Sequence, residues 1–298
     1  MSETLDLQTL RVVLAVADRG SISAGSQQAD LALAAASARI TALESALGLA
    51  LFERGPRGVR LTPDGHAFVQ RARLLVADAD RLAGDMHDRA AGLQGSLRVL
   101  ANASAMLEWL PERLARFGRS HPRIHVELEE RSSPDIPLAL LEGRADLGIV
   151  DLLHPLQGLA FSDLFRDTLV AVLPRGHALA TEPALRFEQL LGEAFVSLTD
   201  GNAISGRLGA AALELGQPLR VRLQMRSFDA VCRMVAAGLG VGVLPVQAIA
   251  PQLGALAIVG VPLSDRWAQR THRLATRAGT TPSPALAALL VALRDDVG

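Results

Sequence analysis

Arginine is the residue whose placement in this chain first suggests chemistry. The 298 residues contain 30 basic side chains and no lysine, so every one is arginine. Three of them, Arg54, Arg57 and Arg60, crowd around the turn Gly55-Pro56-Arg57-Gly58. A planar guanidinium grips a phosphate or a guanine edge through two bonds, where lysine offers a point charge. A basic hairpin of this kind suits the backbone of a nucleic acid. Ser21, Ser37 and Arg39, on short helical segments just before it, are the candidates for contacts made by helices. The basic signal is local, because the net charge is −1 and residues 5–62 hold six arginines against five acids, Asp6, Asp18, Asp30, Glu44 and Glu53.

A second group of polar residues follows strand-like runs. In open sheets a ligand sits beyond the carboxyl ends of strands, where helix N-termini supply free N–H donors. That rule nominates Asn102, Ala103 and Ser104 after one run, Arg131 after the next and Asp151 after a third. Further along it nominates Ser197, Thr199 and Asn202, then Arg226, Ser227 and Phe228. Helix N-termini converging with Arg131 and Arg226 would favour an anion, and a small organic carboxylate is the expected class. Simpler roles stand beside these. Ser133 and Ser227 could be plain helix caps, and Arg131 could be paired with Glu129 or Glu130.

Other chemistries find little footing. The glycines from Gly238 to Gly242 follow a helical run and enter a strand, the reverse of a nucleotide-binding loop, and read as a helix stop and a close-packed turn. His121 and His125 are separated by Pro122 and have no third ligand nearby, so no metal is expected. No Gly-x-Ser-x-Gly elbow and no positioned pair of acids is present, so neither an enzyme nor a cofactor is expected. Cys232, the single cysteine, lies in an apolar helical run and reads as a small buried hydrophobe. It excludes an internal disulfide, which suits a reducing compartment. With no apolar leader after Met1 and no apolar run of about 18 residues, a cytoplasmic location without membrane contact is expected.

The elements that would hold these residues can be read from spacing. Leu7, Leu10, Leu14 and Ala17 mark a first helix, two short helices follow, and the basic hairpin closes a three-helix module with a wing. Thr62-Pro63-Asp64 starts a long helix, with a cap, a proline at its first position and an acid at its positive end. In it Phe68, Ala72, Leu75, Ala79, Leu82 and Met86 alternate by steps of four and three, a coiled-coil seam that wants a partner helix. From Leu97 onward strands and helices alternate, which predicts an α/β domain with a largely parallel sheet, one helix over 105–119, and two lobes joined by a double crossover.

The ordered positions Gly20-Ser21, Ser37, Ile40, Leu43-Glu44, Leu47-Gly48, Leu51-Phe52, Arg54, Leu61-Thr62 and Gly65 resemble the winged helix-turn-helix of LysR-type transcriptional regulators. Residues 143–149 and 235–245 resemble that family's effector-binding domain, so the likeness covers nearly the whole chain. It implies a DNA-binding domain over 1–62, a linker and dimerisation helix over 63–91, and an effector domain over 92–298. That domain would be two-lobed, like a periplasmic binding protein of type 2, with lobe I at about 92–165 and 266–298 and lobe II at about 166–265. It also implies a homodimer or homotetramer on a palindromic operator in double-stranded DNA, a small-molecule effector between the lobes, and RNA polymerase as a partner if the protein activates. One departure stands out. The family usually carries Ser-Gln where this chain has Ala32-Leu33, which leaves thymine-methyl contact and DNA shape as the means of readout there. It motivates an alternative, a cytoplasmic small-molecule binding protein with impaired DNA binding.

Overall fold

The computed structural model describes residues 5–55, 58–90, 95–152, 156–199 and 201–294. They form two compact units, one comprising the N-terminal module, the long helix and residues 141–144, the other comprising the rest.

The first unit begins with α1 (Leu7–Arg19), whose N-cap Asp6 accepts from the Thr9 amide at 2.6 Å. Gly20 ends it in the left-handed conformation. Then come α2 (Ile22–Gln28) and α3 (Leu33–Leu47), and the hairpin of β1 (Phe52–Gly55) with β2 (Gly58–Leu61). Val12, Val13, Val16, Ala36, Ile40 and Leu43 form the apolar centre, with Leu51 and Val69 beside them. Gly58 is needed where it stands. Its φ of +122° is open to glycine alone, and a Cβ there would lie 2.2 Å from the Gly20 carbonyl oxygen. That close approach lets the Val59 amide donate to the same oxygen at 2.9 Å, which ties the wing to the turn after α1.

The long helix α4 (Pro63–Ala90) starts where Thr62 Oγ1 accepts from the Gly65 amide at 2.8 Å. Its first turns pack on its own module. Ala72 is buried and Phe68 joins the apolar centre, so the expected seam is corrected at this end, where α4 lies against α1. Further on, Leu75, Leu82 and Met86 are exposed, while Ala79 is half-buried.

The second unit opens with β3 (Gly95–Ala101), a single π-helical turn (Ala105–Trp109) and α5 (Leu110–Ser120). The helix expected over 105–119 is thus two pieces. Leu110 donates to the Ala105 carbonyl five residues back, and Pro111 has no N–H with which to continue either ladder. β4 (Ile124–Glu130), α6 (Ile136–Leu141), β5 (Leu147–Val150) and the sixteen-residue β6 (Leu159–Pro174) follow. The other lobe adds β7 (Phe195–Leu198), α7 (Ala203–Glu214), β8 (Val221–Met225), α8 (Phe228–Ala236), β9 (Gly242–Pro245), α9 (Val246–Leu253) and β10 (Ile258–Pro262). The chain returns through β11 (Gln269–Arg277) to α10 (Pro284–Arg294).

The largely parallel sheet is corrected to a mixed one. β3 pairs in parallel with β4 and β5, and β7 with β8. The two crossover strands pair antiparallel with each other, β11 with β5, and β6 with β9 and β10. A chain that leaves a lobe and returns beside its own exit must run the other way. Two apolar cores result. One holds Leu97, Val99, Leu147, Ile149, Leu164 and Leu274, and the other Leu169 to Leu173 with Phe187, Phe195, Val231 and Ala268. β6 and β11 pass from one core to the other.

Candidate functional site

The face expected to meet DNA is built on α3 and the hairpin. Ala32 stands at the N-cap of α3 and supplies no side-chain hydrogen bond, as alanine must. Leu33, Ala34 and Ala35 are exposed there, while Ala36, Ile40 and Leu43 bury the opposite side. Of the expected contact residues, Ser21 caps α2 by accepting from the Ala24 amide at 3.4 Å. Ser37 lies half-buried with its hydroxyl 3.5 Å from Arg54 Nη2. Arg39 is committed elsewhere: Nη1 meets Asp6 Oδ2 and Thr9 Oγ1, each at 3.0 Å. Asp6 is held below the usual carboxylate range, first by the Thr9 amide, with Thr9 and Arg39 side chains adding to it. Arg39 therefore joins α3 to the start of α1.

The strand register separates the arginines of the wing. Arg54 is opposite Val59 on the inward face, whereas Arg60 is opposite Glu53 on the outward face. Both arginines are exposed. Arg57 lies outside the described residues.

In the second unit the expected ligand residues gather at one cleft. A cavity of about 210 Å³ is lined by Asn102, Ala103, Ser104 and Arg131 from one lobe and by Thr199, Asn202, Arg226 and Phe228 from the other. The N-termini of α7 and α8 border it, through the cap Asn202 and through Phe228, the first residue of α8. Ser227 itself lines only the adjoining cavity, and Asp151 and Ser197 line neither. Ser197, buried at the end of β7, faces the Ser205 hydroxyl at 3.3 Å. Arg131 is paired with Glu129 at 2.7 Å. Arg226 is exposed and has no ion-pair or hydrogen-bond partner among the described residues.

Beneath the cavity lies a buried polar network. Asn102 Oδ1 accepts from the Ala105 amide at 3.0 Å, so its Nδ2 donates, to Ser133 Oγ at 3.2 Å and to His272 Nδ1 at 3.1 Å. Ser133 accepts in turn from the Asp151 amide at 2.9 Å. Asp151 is gripped by Arg207 through two nitrogens and approached by Arg270 at 3.4 Å. Arg270 also donates to Ser104 Oγ at 2.9 Å and makes a two-bond fork with Asp167, one bond at 2.7 Å. Burial alone would raise the Asp167 carboxyl, but His272 and Arg270 outweigh it and hold the group low. His272 Nε2 sits 3.0 Å from Asp167, off the line of a straight hydrogen bond, and its ring stacks on Phe165 at 4.3 Å. Arg207, Asp167, Arg270 and His272 were not among the expected site residues. For Arg270 and His272 the signal is the alternation Arg270-x-His272-x-Leu274, which puts two polar residues on the face of β11 that Leu274 shows to be inward.

Two further expectations are met. Gly238 ends α8 at φ +74°, and a Cβ on Gly240 would lie 2.2 Å from the Ala194 carbonyl oxygen, so these glycines make a helix stop and a close approach. Cys232 is buried, and that burial first, with the Asp229 charge second, pushes its thiol up to about 11. No described helix is long and apolar enough to cross a membrane.

Comparison with known proteins agrees with this geometry. Residues 7–66 match the model of the bacterial regulatory helix-turn-helix protein, lysR family, and residues 90–298 match the LysR substrate binding domain. The chain is 29% identical over 296 residues to a probable HTH-type transcriptional regulator, LrrA, of Synechococcus elongatus, covering 97% of each. It is 28% identical to the RuBisCO operon transcriptional regulator of Allochromatium vinosum, covering 95% of this chain and 94% of that one. Among solved structures, CbnR, a LysR family transcriptional regulator, matches with a TM-score of 0.65 at 20% identity over 97% of this chain and 98% of that one. Full-length BenM matches with a TM-score of 0.59 at 24% identity over 97% and 96%. The chain belongs to the LysR family: it is a DNA-binding transcriptional regulator with an effector-binding domain.

Proposed function

We propose that the effector is a small organic anion held in the cleft between the lobes, with Arg226 as its principal partner. The observation that carries this reading is Arg226 itself. It is a guanidinium at the edge of the cavity, free of partners among the described residues, beside the N-termini of α7 and α8. Asn102 and Ser104 belong to the same wall, but as parts of the buried network that shapes it. Ligand binding would act by preferring one arrangement of the lobes, and can shift the regulator no further than that preference. In a thermal-shift screen, carboxylates at saturating concentration should stabilise the protein. Arg226→Ala should weaken the effective ones about 10- to 100-fold, the worth of a charge-assisted bond. Stabilisation left unchanged in that variant would count against the reading.

On the DNA side, the proposed assignment gives Arg54, Arg57 and Arg60 to phosphates and Ser21 and Ser37 to the helix contacts. Arg39 keeps a supporting role through Asp6. The division into a reader over 1–62, a linker over 63–91 and a sensor over 92–298 serves as the working plan, with pairing of two linkers placing two α3 helices on a palindromic site. Binding should fall linearly on a plot of log affinity against log salt, and Arg60→Ala should shallow the slope by about one unit. A flat slope in the parent protein would return the weight to a sensor without useful DNA affinity.

A further inference from the structure

We infer that the cleft has two compartments and that its ligand is an amphiphilic anion, with an acidic head at Arg226 and an apolar body in the larger compartment against Glu108. The inference rests on the anion reading above and extends it to the rest of the molecule bound. A second cavity of about 820 Å³ adjoins the polar one and shares Ala103, Glu130, Asn202, Arg226 and Phe228 with it. Its volume is that of a site for a whole small molecule. Beyond the shared residues the apolar part of the wall comes from Met106 and Trp109 of the π-helical turn, Phe165 of β6, Leu198, and Ala248 and Pro251 of α9. A head small enough for about 210 Å³ leaves this space to the remainder of the ligand.

Glu108 gives the compartment a second property. It projects from the π-helical turn, a form of helix often found at functional sites, and its Oε1 is buried without a hydrogen-bond partner among the described residues. Its carboxyl is raised to about 7, first by burial and then by the charge of Asp167, with Arg270 opposing. The other charged residues lining the cavity are Glu130 of β4, Arg166 of β6, Arg226, and Asp229 of α8, which is paired with Arg233 at 2.8 Å. An apolar body arriving beside Glu108 removes water from it and favours the protonated form further. Binding should therefore take up a proton and should be tighter below pH 7 than above.

Straight-chain carboxylates test both parts by calorimetry. From acetate to octanoate, affinity should rise by about fourfold per methylene, the worth of each buried CH₂. At pH 8 octanoate should bind more weakly than at pH 6, by up to about tenfold per unit above pH 7, with proton uptake read from buffers of different ionisation heat. Glu108→Gln should keep the gain with length and lose the pH dependence. Gln247→Trp, an exposed change on α9 at the rim, should abolish the gain with length and leave acetate unchanged. Equal affinity for acetate and octanoate in the parent protein overturns this inference and leaves the anion reading standing. Octanol binding as tightly as octanoate overturns the acidic head, and the anion reading with it.

Discussion

Taking a guanidinium out of water costs several kcal/mol unless carboxylates meet it in good geometry. Arg270, 3% exposed, is met by a two-bond fork from Asp167 and by Asp151 and Ser104. Removing one partner leaves the other stranded. Arg270→Met is therefore expected to cost about 3–5 kcal/mol in urea unfolding, and adding Asp167→Leu to recover much of the loss. Acid provides a second readout with a definite sign. Asp167 is held below its ordinary range when folded, so its contribution is present above the unfolded carboxylate value of about 3.9 and lost as the pH falls below it. The advantage of the parent over the double variant should shrink on that side. Neither residue was legible as part of the site, because the position of a lone Asp or Arg in an alternating run gives its face but not its partner across 103 residues of sequence.

Elements were more legible than residues. β4 falls on Ile124–Glu130 as alternation predicts, and α8 and the hairpin lie where their caps and turn place them. In β6 the apolar pattern marks only the part from Thr168 onward, since Ser162, Asp163, Arg166 and Asp167 interrupt it in the first half, which pairs with β11. α9 is hidden in the sequence, because Pro251 stands inside it. The uncapped start of α3 makes a prediction at this scale. Ala32 already has the extended backbone of an N-cap, at φ −64° and ψ 142°. Ala32→Ser should add the missing bond and stabilise the protein by about 0.5–2 kcal/mol in thermal unfolding. A fall in Tm would show that Ala32 is held for another reason.

For the whole molecule the decisive surface is the exposed side of α4. Leu75, Leu82 and Met86, spaced by seven and four, present a stripe that a single chain leaves in water. Leu82→Glu should lower the solution mass toward that of one chain by light scattering, and should weaken binding to a two-half-site duplex far more than to a single half-site. The sensor contains a different kind of coupling in β6 and β11. They are hydrogen-bonded to each other from Gln269–Thr168 to Arg277–Leu159, with one slip between His272 and Arg273. Two ribs bonded along their length resist stretching and shearing but yield to torsion, and a slipped register locally steepens the twist. A ligand would then steer this protein as a screwdriver does rather than as a clamp does, by rotating one half of the sensor about the paired ribs.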